Sequence, residues 1–575
     1  MTDADEISTT RTTPWWMPDF AGSVVGLICA VLSVTPSLLP RPAILQGALA
    51  AFSFAIGYLL GAMLWAAIRR LLRRGPAPRI RRRWWIAYAA AWVVVIGVLS
   101  LVAVAWQNEV RTLVSMPPLG GSDIVSFLLA FVPLALLLLL AGKGSRVLFS
   151  RLRRRLGAVF AASISVVVVA GALAGILFAA VASVDRIYFD RNQFADASVS
   201  EPESDFRSAG DASAIAWDSL GRHGAAFVGG GPRADEISTL TNGRALEPIR
   251  VYAGLASAPT IQERAELVVS ELERTGAFER EFLMLATTTG SGWLEPQTMD
   301  AFEYLHRGDT AIAAMQYAYT PSWVSFVFDP DAPVEAARVL FEAVEARWSE
   351  LPVEDRPELI TYGLSLGAHG SQAVFSDIDD LRTRTDGALF VGSPNGSALW
   401  QSLQNDRDAG SPAWQPVLNE GREVRWISRA GDDGLLSGPW DRPRVLYLQH
   451  ATDPVTWLSP ELLWRAPEWL DADQRSPDIS PAMRWIPVVT GLQVVVDMLM
   501  GEAVPASYGH NYGDVVVTAW QQVTWSSLDD ASVDRIQAEI ETYATIIRAD
   551  HRSESNHALP CRITTTWDMI RHHRA

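Results

Sequence analysis

The chain has 575 residues, 49% hydrophobic and 19% charged, with a formal net charge of −16. That length exceeds one ordinary domain, and the charge is unevenly spread: residues 1–184 hold 17 basic and 6 acidic side chains, the remainder 31 and 58. The acidic remainder excludes nucleic acid as a partner, because that binding rests on Lys and Arg neutralising phosphates, and two cysteines, Cys29 and Cys561, exclude a disulfide framework or a cysteine-rich metal site.

Five apolar stretches come first, Phe20–Leu39, Ile44–Ile68, Trp84–Trp106, Ile124–Ala141 and Phe160–Val184, none with a charged side chain. About 20 helical residues cross the hydrocarbon core of a bilayer, so the sequence predicts a helical transmembrane domain of five spans over residues 1–184. Trp15, Trp16, Trp84, Trp85 and Trp106 flank the stretches, where indole rings favour the interface. An acidic lead-in and the ending Pro36-Ser37-Leu38-Leu39-Pro40-Arg41-Pro42 argue against a cleavable signal peptide. Arginine sets the orientation: the loop after the second stretch carries eight, Arg69 to Arg83, and the loop after the fourth carries Lys143, Arg146, Arg151 and Arg153–Arg155. Placing both loops inside puts the N-terminus in the cytoplasm and everything after Val184 outside a cytoplasmic membrane. No stretch holds an intramembrane charge of the kind ion pathways need, so the domain reads as an anchor or lipid-facing platform.

Residues 185–248 are polar and broken by Gly, Pro and Ser, and read as a connector. From 249 to 575 apolar strands alternate with helices. Strands are expected at Ile249–Ala253, Phe282–Thr287, Ala311–Ala318, Leu359–Tyr362, Ala388–Val391 and Val445–Gln449, and helices at Ile261–Thr275, Ala332–Ser349, Leu366–Phe375, Trp485–Met500 and Ser532–Arg548. That alternation implies a mostly parallel sheet covered by helices on both faces.

Gly363-Leu364-Ser365-Leu366-Gly367 lies directly after a strand and before a helix. A strand-to-helix turn strains the serine backbone, the flanking glycines remove Cβ clashes, and the hydroxyl is left at a helix N-terminus where developing negative charge is favoured. Ser365 is therefore the candidate nucleophile. It needs a base oriented by an acid, and in α/β-hydrolases these follow the serine as acid, then histidine. His510, in the glycine-rich loop Ser507–Asp514, is the candidate base; His450 is its rival, His369 falls on the new helix, and His551, His557, His572 and His573 sit in a polar tail. Asp453, in a loop after the strand Val445–Gln449, is the candidate acid, with Asp432-Asp433 and Asp514 as rivals. An oxyanion hole needs two donors: the backbone N–H of Leu366, and that of Thr288 or Thr289 in the glycine-rich loop Thr287–Trp293. Trp293 and Trp457 are the candidates for substrate contact, and Trp457, Trp464, Trp469 and Trp485 form a tryptophan-rich region suited to a lid or a membrane-facing lip. No metal or cofactor is expected.

Three stretches together, Ser33–Pro42, Thr288–Trp293 and Tyr362–Gly367, resemble a bacterial family of membrane proteins that join a multi-span N-terminal domain to an α/β-hydrolase catalytic domain. The resemblance implies serine-dependent hydrolysis and says little about substrate. The reading is thus a membrane-anchored serine hydrolase acting on hydrophobic acyl esters, envelope lipids among them. An acyltransferase with the same residues and a non-enzymatic envelope scaffold on a hydrolase fold are the alternatives.

Overall fold

The computed structural model describes residues 19–72, 82–195, 199–429, 431–436 and 438–542. Cys561, the histidines beyond His510 from His551 onward, Trp15, Trp16 and the arginines from Arg73 to Arg81 lie outside them. The chain divides into two compact units.

The first unit comprises residues up to Ala179 together with Glu461–Ala466 and Ser480–Asp497. Its helices are α1 (Phe20–Leu32), α2 (Ala43–Leu71), α3 (Arg82–Leu113), α4 (Gly121–Leu156) and most of α5 (Ala158–Asn192). The Asp19 carboxylate caps α1, accepting the Gly22 N–H at 2.7 Å. α1 and α2 pack closely because their contact is lined by small residues, as in membrane bundles: a Cβ on Gly26 would stand 2.6 Å from the Phe54 carbonyl oxygen.

The expectation of five spans is corrected here. Among the described residues two helices, α2 and α4, are long and apolar enough to cross a membrane. The first stretch forms a helix of only 13 residues, because the proline-rich run Ser33–Pro42 leaves the helical path. The third and fifth stretches are helical, in α3 and α5, but many of their side chains fall outside the described residues and they do not count as candidates.

Ser33–Pro42 has a defined job inside this unit. It wraps the carboxylate of Asp497, on the helix Val489–Met498, which receives the Ser37 hydroxyl at 3.1 Å, the Leu38 N–H at 3.1 Å and the Arg41 guanidinium at 3.3 Å. Arg41 and Asp497 are fully buried. The Gln493 amide adds a bond to the Thr35 carbonyl at 2.8 Å.

The second unit holds a seven-stranded, wholly parallel sheet in the order β1-β3-β2-β4-β5-β7-β6. The strands are β1 (Ile249–Ala253), β2 (Phe282–Thr287), β3 (Thr310–Met315), β4 (Glu358–Leu364), β5 (Gly387–Val391), β6 (Val424–Ile427) and β7 (Arg444–Leu448). All but β6 lie where the apolar runs predict them. β1, β3 and β5 are buried throughout, as a parallel sheet covered on both faces requires. The polar stretch expected as a connector is ordered structure. It holds α6 (Gly221–Gly229) and α7 (Ala234–Thr241), and its buried Arg207 donates to the Val228 carbonyl at 3.0 Å. On β1, Arg250 is fully buried against Asp300 at 2.7 Å and Glu303 at 2.6 Å. The helices α8 (Ile261–Thr275), α9 (Pro296–Leu305), α10 (Ser322–Phe328), α11 (Ala332–Ser349) and α12 (Leu366–Gln372) follow among the strands.

Candidate active site

Ser365 stands between β4 and α12 with φ 57° and ψ −120°. A positive φ strains any residue with a Cβ, and the neighbours show why the turn is held. A Cβ on Gly363 would lie 2.3 Å from the Gly367 carbonyl oxygen, and one on Gly367 would lie 2.3 Å from that of Thr287. Both glycines are therefore required for α12 to close against β4 and the end of β2. The Ser365 N–H donates to the Val391 carbonyl at 2.8 Å, fixing the turn to the end of β5. Ser365 is partly exposed while Leu366 is buried.

Asp453 caps the short helical turn after β7 and is fully buried. One carboxylate oxygen, Oδ1, accepts the Val455 N–H at 2.8 Å. The other, Oδ2, meets His510 Nδ1 at 2.7 Å and accepts the Tyr512 hydroxyl at 2.8 Å. With Nδ1 donating, the lone pair of the neutral imidazole is on Nε2. That atom is buried and has no hydrogen-bond partner among the described residues. Burial alone would depress the imidazole, but the charge of Asp453 and its hydrogen bond outweigh it, and the net shift is upward from 6.5.

His510 is wedged between two glycines. Its N–H donates to the Gly501 carbonyl at 2.8 Å, and a Cβ on Gly501 would stand 3.0 Å from its own Cβ. On the other side, a Cβ on Gly392 would reach its Cε1 at 2.5 Å. Gly392 directly follows Val391, the residue that holds the Ser365 N–H, so Ser365 and His510 flank the same two residues at the end of β5.

The rivals have other partners. His450 Nδ1 bonds the Gly509 carbonyl at 2.9 Å, its N–H donates to the Tyr512 hydroxyl at 3.1 Å, and its ring stacks on Tyr512 at 4.0 Å. It supports the loop that carries His510. His369 Nδ1 meets the Ser397 hydroxyl at 3.1 Å. Asp514 is engaged by Ser507, and Asp432 caps its own turn through the Ser428 and Arg429 N–H groups at 2.9 and 3.0 Å.

Of the two amides proposed for the oxyanion hole beside Leu366, Thr289 is spent within its own turn, donating to the Trp293 carbonyl at 3.0 Å. Thr288, fully buried, is the one left. The loop lies against α12, as the Gly367 contact to Thr287 shows. Trp293 is partly exposed. Trp457 is 3% exposed, its indole N–H donates to the Ala451 carbonyl at 2.8 Å, and its ring packs on Trp469 at 5.6 Å. It is a core residue, which removes it from substrate contact. Of the tryptophan-rich region, Trp457 and Trp469 belong to the second unit, Trp464 and Trp485 to the first.

Sequence reasoning missed Gly392, Gly501 and Tyr512. Tyr512 lay in the same loop as His510, and its phenol was the signal that a buried acid would need a second donor.

Residues 249–536 match the model of an alpha/beta-hydrolase family, and residues 34–232 match the model of the N-terminus of an alpha/beta-hydrolase family. The chain belongs to the alpha/beta-hydrolase family. Comparison with curated proteins and with solved structures yields no match. The parallel sheet and the serine turn at the carboxyl end of β4 are the hydrolase-type architecture that this membership entails.

Proposed function

We propose that this hydrolase is a membrane-anchored serine esterase that cleaves hydrophobic acyl esters through an acyl-enzyme. The observation that supports the reading is His510: its Nδ1 is held by a buried carboxylate at 2.7 Å, its Nε2 has no hydrogen-bond partner among the described residues, Ser365 included, and its ring lies against Gly392, which follows the residue that accepts the Ser365 N–H. An unpaired buried imidazole nitrogen calls for an explanation; His450 Nε2 is unpaired too, but that ring is bonded to the Gly509 carbonyl and stacked on Tyr512, whereas His510 has the carboxylate that a base needs.

In this reading the substrate carbonyl enters above α12. His510 Nε2 takes the Ser365 proton as Oγ attacks, and Asp453 holds the imidazolium. The N–H groups of Leu366 and Thr288 receive the oxyanion. As the first amide of α12, that of Leu366 has no intrahelical acceptor. Collapse expels the alcohol with the proton from His510. Water then repeats the sequence on the acyl-enzyme, releasing the acid and restoring Ser365. The apolar helices α2 and α4 support anchoring; the Arg-rich loops favour an outward-facing catalytic unit only if the helical stretches in α3 and α5 cross as well.

The test is labelling of the full chain with a fluorophosphonate. Ser365 should be modified and Ser365→Ala should not. Ser365→Ala and His510→Ala should each abolish ester turnover, and the double variant should be little worse, because the residues act as one unit. Labelling that persists in Ser365→Ala would remove Ser365 as nucleophile.

A further inference from the structure

The strand β4 and the helix α12 are closed to solvent almost everywhere. From Leu359 to Gln372 every residue is buried except Ser365 and His369. The two are joined, the His369 N–H donating to the Ser365 carbonyl at 3.0 Å. Residues four apart share a helix face, and helical side chains lean towards the amino end. The His369 imidazole therefore leans towards the nucleophile, yet the proposed ester cleavage makes no use of it.

Ser397 assigns its protons. That serine is the N-cap of the helix Ala398–Asn405, but its side chain makes no cap bond, although capping is what a serine in that position ordinarily does. It is fully buried, and among the described residues its hydroxyl meets only His369 Nδ1, at 3.1 Å. A buried hydroxyl needs an acceptor for its proton, and Nδ1 is the one present. Burial holds the imidazole below the ordinary 6.5, against a smaller opposing pull from the Asp331 carboxylate, so the ring is neutral at neutral pH. Its own proton is then on Nε2, the opposite tautomer to His510. Nε2 has no partner among the described residues and is not buried. An N–H donor thus stands open to solvent beside Ser365.

Both histidines rest on the loop after β5. Gly392, at its start, lies against the His510 ring, and Ser397, at its end, holds His369. In the esterase reading, on which this inference rests, the amides of Leu366 and Thr288 take the carbonyl oxygen and His510 serves the departing alcohol. A donor on the His510 side of Ser365 meets the alcohol part of the ester. We infer that His369 Nε2 donates a hydrogen bond to a second oxygen on that alcohol, so that the preferred substrates are acyl esters of a polyol rather than of a simple alkanol.

The test compares glyceryl monobutyrate with propyl butyrate, soluble esters of the same acid with three-carbon alcohols, on the full chain in detergent, by acid released. The ratio of kcat/KM should favour the glyceryl ester, and His369→Leu should lower that ratio about fivefold, the worth of one hydrogen bond. His369→Gln, whose amide nitrogen reaches the Nε2 position, should keep the ratio. His369→Asn, whose amide reaches only the Nδ1 position, should lose it while still giving Ser397 a partner. A parent that treats the two esters alike overturns the inference. So does a ratio unchanged in His369→Leu, an equal loss on both esters, or a His369→Gln variant that behaves as His369→Leu does. Turnover that survives Ser365→Ala, or none of either ester in the parent, would sink the esterase reading and take this inference with it; the other adverse outcomes fall on His369 alone.

Discussion

Gly392→Ala should disable the site without touching any residue that does chemistry. A Cβ there would stand 2.5 Å from His510 Cε1, 2.8 Å from Nδ1 and 3.0 Å from Tyr512 Cε2, whereas ordinary contact begins at 3.4 Å. The imidazole must therefore retreat by about 0.9 Å. It has little room to do so, with Gly501 behind it and Asp453 holding Nδ1. A misplacement of about 1 Å costs on the order of 10²-fold in rate, or about 2.7 kcal/mol of barrier at 1.36 kcal/mol per decade. Gly392 also has φ +54°, which adds about 1–2 kcal/mol of backbone strain with alanine. The expected result is a kcat on a short p-nitrophenyl ester about 10²-fold below the parent, a matching fall in the rate of fluorophosphonate labelling, and a Tm lower by a few degrees. Gly396→Ala, where a Cβ meets nothing within 4 Å, is the control and should be silent. A folded Gly392→Ala variant within threefold of parental kcat would refute the placement of His510 as base.

Two further outcomes follow from the site and the anchor. Turnover needs neutral His510, and the imidazole is shifted upward, so activity should rise with pH through a midpoint above 6.5. Asp453→Asn removes the two main causes of that shift; the midpoint should move down and the plateau kcat should fall about 10³–10⁴-fold. An unmoved midpoint would detach Asp453 from His510. The sign for stability is the reverse: folding favours protonated His510, so its contribution is present below the unfolded pKa and lost as pH rises through the folded one. For orientation, a cysteine at the exposed Asp211 should react with a membrane-impermeant maleimide in intact cells. Reaction only after lysis would reverse the inside-outside assignment.

Much of the second unit was legible because a buried parallel sheet writes itself as short apolar runs. β1 and β2 coincide with theirs, whereas β6 escaped. Only four residues long, β6 contains Arg425, whose guanidinium turns back to the Gly421 carbonyl at 2.8 Å; nothing local announces a buried arginine on an edge strand. The helices α6 and α7 within the connector escaped for the same reason. Its order comes from Arg207 and Arg250, whose partners lie 21 to 53 residues away. The first apolar stretch was overextended because hydropathy averages across Pro36 and Pro40, where the helix has already stopped at Leu32. At the site, chain order and strand ends pointed to Asp453 and His510 as a pair. The glycines that wedge the imidazole are tertiary facts, set by what Gly392 and Gly501 face.

The Asp497 carboxylate carries a lesson about ancestry and reuse. It is met by the Arg41 guanidinium, the Ser37 hydroxyl and the Leu38 and Leu39 N–H groups, some 460 positions earlier, yet it falls within the span 249–536 that matches the hydrolase model. Recombination that moved that span alone into another protein would strand a buried acid with no counter-charge, a loss of about 3–5 kcal/mol. The two matched segments are therefore expected to be inherited together. A gene fragment starting at β1 should give no folded product, while one starting at Ser33 and extracted in detergent should.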